Sequence, residues 1–274
     1  MGSEMCIRDR TMGHHSFQEI TGYRRLDELN ERLDNISNRI LKEDCLDLPE
    51  KTYVTRSVAL SDEQERLYIQ MKKLALAQFD NGELATTASV LTQLMRLKQI
   101  CCGFLKTVEG EIQEIRNNRL EELMNVLSET NNKVIIWATF THDIHRIVDE
   151  IKKVYGDDSV AAYHGETLQD DRQAIVKTFQ DKESPLRFFV GQPRTGGYGI
   201  TLHAANTVVY YSNSFDLEIR LQSEDRAHRI GQKKAVTYVD LITPKTVDEK
   251  IRKALRKKIN IATEIMGEEL REWI

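Results

Sequence analysis

Apolar positions along the chain change their period near Lys133. Before it they recur every three or four residues, which predicts helices. Leu26, Leu29, Leu33, Ile36 and Ile40 mark an amphipathic helix over Tyr23 to Arg39. Ser61-Asp62-Glu63-Gln64 opens a second, with Ser61 as N-cap and Gln64 reaching back in a capping box. Leu67, Met71 and Leu74 are its expected buried stripe, and Asn81-Gly82 its end. A third runs from about Leu84 to Cys101, with Leu91, Leu94, Met95 and Leu97 inward, and a fourth from Arg116 to Glu129.

After Lys133 short apolar runs alternate with helical stretches. Val134–Ala138, Val160–Tyr163, Arg187–Val190, Thr207–Tyr211 and Val236–Ile242 read as strands. Thr141–Tyr155, Gln169–Gln180, Ser214–Arg229 and Thr246–Thr263 read as helices. Continuous apolar strands separated by helices predict an α/β fold: a parallel sheet of at least five strands, helices on both faces, preceded by a mainly helical segment. The expected divisions are 1–15, patternless and read as disordered or a gene-start artefact; 16–130, a helical linker or protrusion; 131–245, the sheet domain; and 246–274, a C-terminal brace helix.

Composition narrows the classes. With 43 acidic against 39 Lys/Arg side chains the formal charge is −4, which leaves charge distribution, not the sum, to speak about nucleic acid. The longest apolar run, Val134 to Ala138, is far too short to span a bilayer, and no basic stretch precedes an apolar one as in a secretory signal. The expectation is a soluble, cytoplasmic chain without membrane contact. Cys6, Cys45, Cys101 and Cys102 lack C-x-x-C spacing, and His142 and His145, three apart, lack a convergent acid or cysteine and read as a helix start near the sheet end. No metal site is therefore expected.

Candidate chemistry concentrates between Gly191 and Gln232. Gly196-Gly197-Tyr198-Gly199 follows a strand, where glycines let backbone N–H groups approach an anion; a tight strand-to-helix turn accounts for them equally well. Arg226 and Arg229 lie three apart, which on a helix places both guanidiniums on one face to converge on a phosphate. The competing account is a solvated face paired with Glu224 and Asp225. Lys250, Arg252, Lys253, Arg256, Lys257 and Lys258 can likewise meet phosphates or form a solvated helix face.

The stretch RLQSEDRAHRIGQ resembles motif VI of the Swi/Snf-type branch of superfamily 2 helicases, Q-x-x-D-R-x-H-R-x-G-Q, with every fixed letter present. PRTGGYGITLHAANTVVYY is similar to motif V of that family. LKEDCLDLPEK, Leu41 to Lys51, is similar to the segment entering the second lobe in phage and bacterial members, and ITPKTVDEKI to the stretch that ends in a basic bracing helix. The resemblance implies a RecA-like second lobe. Arg226 and Arg229 would be arginine fingers to the ATP γ-phosphate, with Gln222, Asp225, His228, Gly231 and Gln232 completing the ATP-site motif. Arg194, Gly196, Gly197, Gly199 and Thr201 would form motif V, at the cleft and the nucleic-acid backbone. His164 and Gly165, with Lys253 and Lys257, would be weaker nucleic-acid contacts. Where the family has a Trp-Asn-Pro turn this chain has Ser212 and then Phe215-Asp216-Leu217.

No Gly-Lys dipeptide and no D-E-x-H box occurs; Asp62-Glu63-Gln64-Glu65 is the nearest imitation and reads as a capped helix. The resemblance therefore implies half of an ATPase site. ATP would be shared with an N-terminal ATPase lobe, Mg²⁺ held by ligands outside this chain, and duplex DNA the partner. A non-catalytic nucleic-acid- or protein-binding module derived from such a lobe is the alternative. A doubly wound sugar-transfer lobe fits the glycine turn but not the arginine motif.

Overall fold

The computed structural model describes residues 4–12, 15–34, 36–37, 48–80, 87–107, 110–196 and 199–257. The chain divides into two compact units, Met1–Asp47 and Leu48–Ile274.

In the first unit β1 (Glu4–Met12) and β2 (His15–Arg24) form an antiparallel hairpin, with a register shift between Cys6 and Ile7. The stretch 1–15, expected to lack structure, thus contributes a strand. Antiparallel pairing needs only backbone donors and acceptors, so a polar stretch without apolar period can form it. The helix that follows, α1, is shorter than the periodicity predicts, Leu26–Asp34. Leu26 and Leu33 on its expected inner stripe are exposed; Ile40 lies outside the described residues.

The second unit is built on a six-stranded, all-parallel sheet, ordered β3-β10-β9-β6-β8-β7. Five strands fall where the apolar runs predict: β6 (Val134–Trp137), β7 (Val160–Tyr163), β8 (Phe188–Gly191), β9 (Thr207–Tyr210) and β10 (Val236–Ile242). The sixth, β3 (Lys51–Ser57), comes from the stretch expected to be helical, so the sheet is not confined to 131–245. As an edge strand paired only to β10, β3 has no need of the continuous apolar run that a central strand carries. A small hairpin, β4 (Phe104–Lys106) with β5 (Ile112–Glu114), was also unexpected.

Side-chain alternation along the strands builds two cores. Val134, Ile136 and Ala138 pack with Leu123, Val126 and Leu127 of α4 (Arg119–Ser128) and with Ile144, Ile147 and Ile151 of α5 (Thr141–Tyr155). Ile135 and Trp137 face the other way, toward Phe179 of α6 (Gln169–Gln180) and Ala227.

A third core joins α2 (Asp62–Asp80), α3 (Thr87–Cys102) and the C-terminal α9 (Val247–Arg256) through Tyr68, Ala75, Leu94, Leu97, Ile251 and Leu255. The capping box of α2 is formed: the Gln64 amide donates to Ser61 Oγ (3.2 Å), and Ser61 N–H donates to Gln64 Oε1 (3.0 Å). Its buried stripe is rotated from the expected one, onto Gln64, Tyr68 and Ala75, leaving Leu74 half exposed. The cause is Gln64, whose side chain turns inward to donate to the Ile100 carbonyl (2.7 Å). Helix α9 packs within this unit through its apolar side. Asn81, Gly82 and Lys258–Thr263 lie outside the described residues.

Candidate nucleotide-site turn and sheet edge

The helix carrying the arginine motif, α8, is Leu217–Glu224, capped by Asp216, whose Oδ1 accepts from the Glu218 and Ile219 amides (2.8 and 3.3 Å). It ends before the arginines. Arg226 and Arg229 sit on a chain of tight turns from Asp225 to Gly231, so helical spacing is not what places them.

They come together all the same. Arg226 is half-buried and donates to the Gln222 carbonyl (3.0 Å) and the Ile200 carbonyl (3.1 Å). Burial first, and then the Arg229 guanidinium, hold Arg226 below the usual guanidinium value. Arg229 is exposed. Among the described residues neither guanidinium forms a salt bridge with a carboxylate.

Glu224, the expected partner in a solvated charged face, is buried and engaged elsewhere. It accepts from Arg220 Nε (2.9 Å), Tyr53 Oη (2.8 Å) and Lys51 Nζ (3.3 Å). Asp225 faces Lys51 at 3.8 Å. Glu224 is therefore committed to β3 and Arg220, while the Asp225 charge also reaches Arg226.

The turn is held from below. Gln232 Nε2 donates to the His203, Ala205 and Ala227 carbonyls (3.1, 2.8 and 3.3 Å), and its Oε1 accepts from the Lys233 and Lys234 amides (both 3.0 Å). Gly231 has φ +101° and a Cβ there would meet the His203 ring at 3.2 Å, so only glycine passes without strain. His228 bonds the Pro49 carbonyl through Nε2 (2.7 Å). Gln222 accepts from Arg226 through its backbone, while its side chain donates to Glu218 (2.7 Å). The Leu202 amide donates to the Arg226 carbonyl (2.9 Å), joining this turn to the glycine-rich segment. Gln232, Gly231 and His228 thus act on the shape of the turn, and the arginines project from it.

The glycine segment divides by role. Gly196 closes the short helix α7 (Pro193–Gly196), where a Cβ would lie 2.5 Å from the Trp137 ring; close packing requires this glycine. Gly199, with φ +75° and nothing within 4 Å of a Cβ, lies at an open surface. Gly197 lies outside the described residues. Arg194 is exposed, beside a surface depression of about 710 Å³ bounded by Leu91, Met95, Phe215 and Leu217. Thr201 is half-buried.

The weaker candidates scatter. Lys253 pairs with Glu249 at 2.8 Å on the surface of α9, and Lys257 is exposed at its end. His164 is buried at the end of β7, and its neighbour Gly165 follows in a turn. His142 does find an acid, Glu114 of the β4–β5 hairpin, at 2.7 Å, and His145 lies against His164 with ring centroids 5.2 Å apart. Both meetings are across the fold and invisible to local spacing.

Arg220 and Lys98 are buried cations near the ends of the strands, and neither was singled out by sequence. Arg220 lies over the Tyr210 ring (3.5 Å to centroid) and donates to Asp240 Oδ1 and Asn213 Oδ1, each at 2.5 Å. Lys98 of α3 reaches the Asn213 carbonyl and Thr139 Oγ1 between the faces of Phe140 and Phe215. Burial pulls this lysine down to about 8.

Residues 116–231 match the helicase conserved C-terminal domain, and the chain as a whole is similar to the C-terminal lobes of SNF2-type helicases and translocases. It is 32% identical over 243 residues to YwqA of Bacillus subtilis, named as an ATP-dependent helicase/translocase, covering 85% of this chain and 26% of that protein. It is 28% identical over 241 residues to the transcription regulatory protein SNF2 of Saccharomyces cerevisiae, covering 81% of this chain and 14% of that protein. The chain thus spans about a quarter or less of these relatives' lengths. Among solved structures it is similar to the Sulfolobus solfataricus SWI2/SNF2 ATPase core in complex with dsDNA. That likeness has a TM-score of 0.65 at 26% identity, over 90% of this chain and 56% of that one. Among the described residues no helix is long and apolar enough to cross a membrane.

Proposed function

We propose that this lobe completes, from one side, an ATP site shared with an N-terminal ATPase lobe of a duplex-DNA translocase. The observation that carries the reading is the pair Arg226 and Arg229. Burial and then the neighbouring Arg229 guanidinium lower the proton affinity of Arg226 at this turn, while Glu224 is committed to Lys51, Tyr53 and Arg220. Two guanidiniums that form no salt bridge among the described residues are a fitting receptor for a polyphosphate, whose charge they offset.

ATP supplies the free energy of the cycle, and Mg²⁺ would be held by the other lobe, since no phosphate-loop lysine or D-E-x-H box occurs here. Arg229, exposed and without a salt bridge among the described residues, is the finger that reaches the transferring phosphoryl group. Arg226 positions the turn through two carbonyls and contributes its charge. Gln232 and Gly231 fix the geometry. Arg194, Gly199 and Thr201, with His164, Gly165 and Lys257, would line the DNA track; the dsDNA bound by the similar archaeal core supports that partner.

Calorimetry of the isolated chain tests the half-site. ATP binds with Kd of about 1 mM or weaker, about −4 kcal/mol, because one lobe contributes only its arginines. Micromolar binding to this chain alone would overturn the division of the site between two lobes.

A further inference from the structure

We propose that His145, His164 and Glu166 form a binding site for one divalent ion of the zinc class. Each residue offers one donor atom, and the three donors all lie within 4.8 Å of one another. His145 stands in the second turn of α5, His164 directly follows β7, and Glu166 lies two residues on. The topology joins two elements that the sequence separates by a strand and a loop.

The donors are held before any ion arrives. The His164 amide donates to Thr167 Oγ1 (3.0 Å), and the Thr167 amide donates back to the His164 carbonyl (3.1 Å), closing a turn that carries Glu166. Arg172 donates to the His164 and Gly165 carbonyls (3.2 and 3.0 Å) and lies over the Tyr163 ring, so its charge is committed to the outside of that turn's backbone bonds. His145 and Glu166 are exposed, giving an ion a path from solvent, whereas His164 is only 8% exposed.

A second observation points to a ligand. His164 Nδ1 is buried without a hydrogen-bond partner. An edge-on contact between the two imidazoles, whose planes meet at 70°, explains their packing but leaves that nitrogen unanswered. A metal ion, taking a lone pair from neutral imidazole, answers it.

Two imidazoles and one carboxylate suit zinc and its borderline neighbours better than Mg²⁺ or Ca²⁺, which prefer all-oxygen sets. Zinc-bound donors stand about 3.3 Å apart in a tetrahedron. The approach from 4.8 Å is within reach of the exposed Glu166 and His145 side chains. The fourth position, on the solvent side, would take water. A bound ion would tie the 164–167 turn to α5 at the C-terminal edge of the sheet.

The test is titration of the whole chain with Zn²⁺ by calorimetry, and with Co²⁺ read by its visible absorption. The surface variants His145→Gln and Glu166→Gln accompany it, because neither side chain is needed for the core. One ion per chain is expected, with affinity falling about 10- to 100-fold in each variant, at least the loss that residues merely supporting metal ligands produce. The Co²⁺ band should weaken in both, and Zn²⁺ should raise the melting temperature of the parent more than that of either variant. Absence of binding overturns the proposal. So does binding of unchanged affinity in both variants, which would assign the ion to other donors such as His14 and His15.

Discussion

Arg229→Ala, in the chain joined to a first ATPase lobe, lowers kcat by on the order of 10³-fold or more and leaves the melting temperature within about a degree of the parent. The two halves of that forecast have separate causes. Arg229 is exposed and forms no salt bridge among the described residues, so its removal subtracts little from the fold. Its contribution belongs to the moment when charge develops on the transferring phosphoryl group. Arg229→Lys should recover little, because an ammonium cannot reproduce the planar fork. Arg226→Ala differs in kind. It removes the bonds to the Gln222 and Ile200 carbonyls, so both activity and stability fall. Affinity for duplex DNA without ATP should change little in Arg229→Ala. A kcat within threefold of the parent would remove Arg229 from the reaction.

The largest stability effect should come from Arg119. This guanidinium is fully buried beneath the sheet edge. It donates to the Tyr211 carbonyl (2.6 Å), the Leu241 carbonyl (3.3 Å) and Thr243 Oγ1 (2.9 Å), and it pairs with Asp248 at the start of α9. Burial, the largest influence, opposes its charge, but Asp248 together with the groups of Cys102, Cys101 and Tyr211 raises its proton affinity above the usual guanidinium value. Arg119→Met leaves Asp248 charged and without its partner in the interior, at a cost of about 3–5 kcal/mol. For a unit of this size that is a fall in melting temperature of roughly 6–20 °C. The double variant Arg119→Met, Asp248→Leu should lose less than Arg119→Met alone, since no uncompensated charge remains. Thermal unfolding of both variants measures the difference. A double variant less stable than the single one would mean that Asp248 stabilises this joint even without Arg119, contrary to the charge-pair account.

How far the sequence disclosed this molecule depended on how local each signal was. Strands β6 to β10 were legible because each is mostly apolar, and β6 and β8 are buried along their whole length. Helices α5 and α6 have the predicted bounds, residue for residue. Strand β3 was hidden because Lys51-Thr52-Tyr53-Val54-Thr55-Arg56-Ser57 mixes charge with β-branched residues at an exposed edge; those β-branched residues were the signal available.

At the arginine motif the sequence pattern was misread in conformation. Arg226 and Arg229 do lie together, but on turns after Glu224, where Gly231 demands a left-handed backbone. Glu224 looked like their surface partner and is instead buried against Arg220, Tyr53 and Lys51. Gln232 looked like a nucleotide contact and uses its amide on five backbone groups. Lys98, Arg119 and the pairing of Arg220 with Asp240 depend on contacts 20 to 129 residues away in sequence, which no spacing rule detects.

The account stands on the division of one ATP site between two lobes, and ATP turnover with and without duplex DNA measures it most directly. Three samples are needed: this chain alone, a first lobe alone, and the two joined. The account predicts turnover only in the joined protein, stimulated by duplex DNA and abolished by Arg229→Ala. Turnover by this chain alone, or a joined protein indifferent to both DNA and the loss of Arg229, would contradict it.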